Sequence, residues 1–185
     1  SSFVSPKAIP QLADAEIILS KVNRSPNTTL AALVPNARGA IRAVEANLDE
    51  IVVFLSASES HNKKNVNRNV DESLIGFREI ADIAGKNNIP IQGDIATAFG
   101  CPFEGNVPSK RLAEISKEYK EMGFKGVTLG DTTGMATPPV VTDAINAIRD
   151  AVPDFNITLH FHNTRGVGLA NVMSGLYQGI TDYES

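Results

Sequence analysis

Two histidines one residue apart, His160-Phe161-His162, carry the first recognisable chemistry in this sequence. The run Ile157-Thr-Leu-His-Phe-His162 reads as a strand. Strand side chains alternate faces, so both imidazoles share one face, about 7 Å apart along the strand, with Phe161 on the other. Neutral imidazoles bind divalent cations, so the pair is a candidate metal site. Two hydrogen-bonded strand-end histidines are the competing reading, and the spacing alone divides the two about evenly. Asp131 ends the preceding apolar run in Leu129-Gly-Asp-Thr-Thr-Gly134. Parallel strands lie about 4.8 Å apart, which makes its carboxylate a candidate ligand, outer partner or general base for the same site. It is equally a candidate turn cap. Asn163-Thr-Arg-Gly166 offers a helix start and the Arg165 guanidinium to an anion, or a plain cap with a solvated arginine. The polar, locally basic stretch Ser56 to Arg68 reads as a loop. Lys64 and Asn65 within it are candidate contacts for the phosphates of a large ligand, against a solvated loop as the alternative. Cys101 is the one cysteine; a nucleophile and a packed structural thiol are its two readings, and no base is marked beside it.

These residues need elements to position them. Helical spacing of apolar residues predicts helices over 13–22, 37–46, a segment starting at a capping box formed by Asn69 and Glu72, 109–122, a segment after Thr137-Pro138, and 168–177. Apolar runs predict strands at 28–34, 50–55, 89–97, 126–130 and 157–162, with a sixth beginning near 180. Strict alternation of strand and helix implies a parallel sheet with right-handed crossovers. An open doubly wound sheet and a TIM (β/α)8 barrel compete. Unusual polar residues recur just after strand ends (Asn36, Glu59, Cys101, Asp131, His160), where barrel active sites gather, and no glycine-rich dinucleotide fingerprint follows any strand. The α/β class is therefore expected as a partial barrel, a single domain over 1–185. The sequence begins Ser1-Ser-Phe and stops at Tyr183-Glu-Ser185, so it is expected to be part of a longer protein.

The chain has 185 residues, 42% hydrophobic and 21% charged, with a net charge of −4. That is ordinary soluble composition with enough length for one core, and no basic excess points to nucleic acid or a membrane surface. The apolar run Ile51-Val-Val-Phe-Leu55 is far too short to span a bilayer. One cysteine excludes an internal disulfide framework.

Taken together, Phe3-Val-Ser-Pro-Lys7, Ser56-Ala-Ser-Glu59, Lys64-Asn-Val-Asn67, Gly100-Cys-Pro-Phe-Glu-Gly105, Leu129-Gly-Asp-Thr-Thr-Gly134 and His160-Phe-His-Asn-Thr-Arg-Gly166 resemble hydroxymethylglutaryl-CoA lyase, in the right order along essentially the whole chain. The resemblance implies a TIM barrel that cleaves 3-hydroxy-3-methylglutaryl-CoA to acetyl-CoA and acetoacetate. It implies His160 and His162 as metal ligands, Asp131 as the strand-end aspartate near the substrate, and Ser2 and Thr128 as pocket-lining residues. Catalytic roles then fall to Asp131 and His160, and substrate binding to Ser2, Thr128, Asp131, Lys64, Asn65 and Arg165. Asn163 and Arg165 depart from the aspartate and tyrosine of animal members. The family's Arg-Asp pair, its upstream glutamate, its glycine-rich cysteine loop and its asparagine ligand are absent from these 185 residues.

The implied cofactor is Mg²⁺ or Mn²⁺, since histidine and oxygen ligands with open positions suit those cations. The implied partner is a small acyl-CoA, with no nucleic acid, no membrane, and a homodimer as the assembly. The compartment follows the source: cytoplasm for a bacterium, mitochondrial matrix for a eukaryote. Two other activities stay open at this point, an isopropylmalate synthase-like condensation and a non-catalytic barrel scaffold.

Overall fold

The computed structural model describes residues 2–7 and 9–185. Among the described residues there are six strands: β1 (Ala31–Leu33), β2 (Glu50–Ser56), β3 (Ile91–Ala96), β4 (Gly126–Asp131), β5 (Asn156–Phe161) and β6 (Asp182–Glu184). All five pairings are parallel and the spatial order equals the chain order. That order decides between the two closures. A doubly wound sheet reverses direction at a switch point, whereas a barrel adds each strand on the same side. Right-handed crossovers, the rule for such parallel connections, put the helices on one face and leave the other concave. The result is a curled half-barrel. Beyond β1, Ser2 makes an isolated parallel bridge to Leu33, and the Phe3 amide donates to the Leu33 carbonyl at 2.8 Å.

The helices are α1 (Ala15–Lys21), α2 (Ala37–Glu45), α3 (Glu59–Val66), α4 (Val70–Lys86), α5 (Ser109–Glu121), α6 (Pro138–Ala151) and α7 (Gly168–Tyr177), with a 3-10 turn at Pro10–Leu12. The capping box at Asn69 and Glu72 forms as expected: each side chain accepts from the other residue's backbone amide. Thr137 precedes α6 as expected but makes no side-chain cap; Pro138 at the first position serves instead.

The core lies between the convex face of the sheet and the helices. Val127, Leu129, Ile157 and Leu159 meet Ile115, Ile145 and Ile148 there, all buried. Tyr119 of α5 is fully buried and stacks on Phe124 at 4.9 Å. Gly93 makes room for it: a Cβ at that position would sit 2.3 Å from the ring. Gly93 therefore faces the helices, and its neighbours Gln92 and Asp94 face the concavity.

The stretch expected to be a loop from Ser56 to Arg68 contains α3 instead. Ser58 accepts from the His61 amide at 3.1 Å, and Glu104, distant in sequence, accepts from the Ser60 amide at 2.6 Å. The buried Asn62 amide bridges the Ser56 amide, the Arg68 carbonyl and the Ser73 hydroxyl. Asn67 ends the helix in the left-handed region at φ 56°. Polar capping, much of it from outside the segment, replaces the apolar stripe that usually marks a helix.

Candidate functional site

Three groups of side chains gather near the C-terminal ends of the strands. The first is the histidine pair. Alternation along β5 sends both imidazoles to the concave side, and their Nε2 atoms approach to 3.0 Å. At that distance only one nitrogen can carry the proton between them, so the other presents a lone pair. With that proton gone, two lone pairs converge, which is the donor chemistry a divalent cation uses. Behind the pair, the Glu184 carboxylate lies 3.8 Å from His160 Nδ1. Glu184 is held in turn: Thr128 donates to it at 3.0 Å, and Gln92 donates to Thr128 at 3.0 Å. Thr128 and Glu184 are two strands apart, so a direct bond between them reflects the curl of the sheet. Among the described residues, no group of three His, Cys, Asp or Glu forms a complete metal cluster.

The second group surrounds Asp131, which is buried at the end of β4. Register pairs Gly130, not Asp131, with His160; Asp131 pairs with Phe161. One carboxyl oxygen accepts from the Met135 and Ala136 amides at 2.8 and 3.0 Å, the turn-cap arrangement. The other oxygen is buried without a partner. Burial pushes the Asp131 carboxyl above its usual range, opposed by those two amides and by the charges of His162 and Arg165. Arg165 donates to the Thr133 and Gly134 carbonyls at 2.9 and 2.6 Å. It therefore laces the loop after β4 to the loop after β5. Asn163 accepts from the Gly168 amide at 3.0 Å, the capping reading of that residue.

The third group is an open cavity of ≈ 580 Å³ between the N-terminal segment and α3. Ser2, Lys64 and Asn65 all line it, with Leu33, Phe54 and Phe77 as apolar walls. Lys64 Nζ stands 3.7 Å over the Phe103 ring. The Gly100–Gly105 loop that supplies Phe103 closes on itself through reciprocal Cys101 and Gly105 backbone bonds at 2.8 and 2.7 Å. Cys101 is fully buried with its sulfur 3.0 Å from the Ser58 hydroxyl, the packed-thiol arrangement.

Of the residues the sequence marked, Ser2, Lys64 and Asn65 meet in one cavity. His160 and Thr128 are linked through Glu184, while Asp131 and Arg165 brace the turn beside His162. Sequence reasoning missed Gln92, Asp94, Glu184 and Glu104. The first two carried a signal: polar residues at i and i+2 inside a strand that otherwise reads as buried.

A parallel half-barrel with helices on one side and a histidine pair at a strand end defines the class: a TIM-barrel enzyme fold with its polar residues on the catalytic face. The chain belongs to the HMGL-like family, whose model matches residues 8–185. It is 41% identical over 184 residues to hydroxymethylglutaryl-CoA lyase YngG of Bacillus subtilis, covering 100% of this chain and 62% of that protein. It is 37% identical over 185 residues to the mitochondrial hydroxymethylglutaryl-CoA lyase of Homo sapiens, covering 57% of its length. The solved structure of an HMG-CoA lyase from Acinetobacter baumannii, in complex with coenzyme A and 3-methylmalate, matches at a TM-score of 0.93 and 39% identity, over 100% of this chain and 60% of that one. The chain thus spans less than two thirds of the length of these relatives.

Proposed function

We propose that the whole protein is a carbon–carbon lyase that cleaves 3-hydroxy-3-methylglutaryl-CoA to acetyl-CoA and acetoacetate. The observation that carries this reading is the convergence of His160 and His162 Nε2 to 3.0 Å at the strand end of a barrel belonging to this family. The pair would hold Mg²⁺ or Mn²⁺, with other ligands from outside these residues. Such a cation would lower the pKa of the substrate's tertiary hydroxyl and polarise its oxygens. Glu184, 3.8 Å from His160 Nδ1, would help to hold the orientation of that ring. The unpartnered Asp131 oxygen is the group assigned to take the hydroxyl proton as the carbon–carbon bond breaks. Lys64 and Asn65 would hold the coenzyme A portion in their cavity, with Ser2 on its wall. Thr128 would act as the link that steadies Glu184, and Arg165 as the strap that keeps the Asp131 turn in place beside His162. A homodimer, and the cytoplasm or mitochondrial matrix according to source, complete the proposal.

The test is to incubate the full-length protein with hydroxymethylglutaryl-CoA and Mg²⁺ and to follow acetoacetate release. A parallel reaction supplies acetyl-CoA with 2-oxo acids. Acetoacetate in the first and no acyl transfer in the second are expected. Acyl transfer alone would put the protein among the condensing synthases and end the lyase reading.

A further inference from the structure

The interior of the half-barrel holds a second carboxyl besides Glu184, that of Asp94. Asp94 pairs in register with Phe54 on β2 and Thr128 on β4, which puts it on the concave face with Thr128, His160 and Glu184. Its Oδ1 atom is buried and has no hydrogen-bond partner. That oxygen lies 3.4 Å from where a Cβ at Gly130 would stand, and Gly130 is the residue paired with His160. The Asp94 carboxyl therefore reaches up to the histidine level through the space that Gly130 leaves open.

Asp94 and Glu184 share this interior but differ in support. Glu184 accepts a hydrogen bond from Thr128 and lies 3.8 Å from His160 Nδ1. Asp94 has no such donor. Burial, and secondarily the Glu184 charge, push its carboxyl up to about 7. The other titratable neighbour is Tyr119 of α5, whose hydroxyl donates to the Asp94 backbone carbonyl at 3.2 Å. Phe54 on β2 and Thr128 and Gly130 on β4 add no charge. A buried oxygen without a partner costs stability and returns none, unless a ligand completes it.

We propose that Asp94 is a substrate-contacting residue whose unpartnered carboxyl donates a hydrogen bond from the barrel interior to the carboxylate of the bound acyl group. The proposal rests on the lyase reading and names the polar contact that selects an acidic acyl chain. Ionised, the same group would repel that carboxylate, so its neutrality is part of the recognition.

Kinetics of the full-length protein on hydroxymethylglutaryl-CoA, with Asp94→Leu and Asp94→Asn, test this. Leucine removes the donor; asparagine is similar in shape, is never charged and keeps an N–H donor. Asp94→Leu is expected to raise KM about tenfold or more, the loss of one charge-assisted hydrogen bond. Asp94→Asn is expected to recover most of that loss. Free coenzyme A, which lacks the acyl group, is expected to bind wild type and Asp94→Leu with equal affinity by calorimetry. An unchanged KM in Asp94→Leu overturns the assignment. So does an Asp94→Asn variant whose KM rises about tenfold above wild type, because Asp94 would then act ionised; this arm is read against wild type and stands even if the leucine variant does not fold. Equal weakening of free coenzyme A also overturns it, as a structural effect. A wild type that does not turn over the thioester refutes the lyase reading instead, and is distinguishable from all three.

Discussion

Replacing Asp94 with asparagine should flatten the pH dependence of stability. The Asp94 carboxyl ordinarily titrates at 3.8 and is pushed up to about 7 in the fold, first by burial and then by Glu184. Because the folded value is the higher one, the folded chain binds the proton more tightly than the unfolded chain. Its stabilising contribution is complete below 3.8 and is lost as pH rises through about 7. At 1.36 kcal/mol per pH unit, the gap between the two values corresponds to about 4 kcal/mol as a ceiling. Integrating the linkage over the window of interest leaves about 2.5 kcal/mol of loss between pH 5 and pH 8. Asparagine cannot ionise, so its variant escapes this loss. The assay is urea unfolding of the full-length protein, wild type and Asp94→Asn, at both pH values. The expected result is a variant that gains on wild type by up to about 2.5 kcal/mol on going from pH 5 to pH 8. Parallel pH profiles for the two proteins would mean instead that Asp94 ionises in the fold as it does in water.

Other residues make separate predictions. Arg165→Ala removes both bonds that tie the 131–136 turn to the loop after β5, and is expected to cost about 1–3 kcal/mol in urea unfolding, with weaker Mn²⁺ binding at the adjacent histidines. Gly134→Ala is expected to destabilise by at least as much as an ordinary strained residue, about 1–3 kcal/mol, since Gly134 sits at φ 64° and a Cβ there would lie 2.6 Å from the Thr164 side chain. Glu104→Ala strips a capping acceptor from α3; about 1 kcal/mol of stability and a higher KM for coenzyme A thioesters are expected, read by thermal melts and steady-state kinetics.

The strand and helix order was legible because apolar periodicity is written locally, and the barrel direction followed from polar residues recurring after strand ends. The capping box at Asn69 was legible for the same reason: both partners lie within one turn. α3 was not legible. Its caps come from Ser58 nearby and Glu104 far along the chain, and its exposed face is polar throughout. Asp131 was marked for its place at a strand end, but register had to be known to see that Gly130 occupies the layer of His160. The contact of His160 with Glu184 depends on the β5–β6 register, and that of Glu184 with Thr128 on curl across three strands, neither of which any window of sequence contains. Gln92 and Asp94 lay in plain view as polar residues in a buried strand.

His160 and His162 are proposed to hold the divalent cation of a lyase. The most direct measurement is Mn²⁺-dependent acetoacetate release from hydroxymethylglutaryl-CoA by the metal-stripped full-length protein, wild type against His162→Ala. Wild type is expected to regain activity on Mn²⁺ addition, and His162→Ala to lose it by orders of magnitude, with Mn²⁺ affinity falling in step. Equal Mn²⁺-restored activity in the two proteins would contradict it.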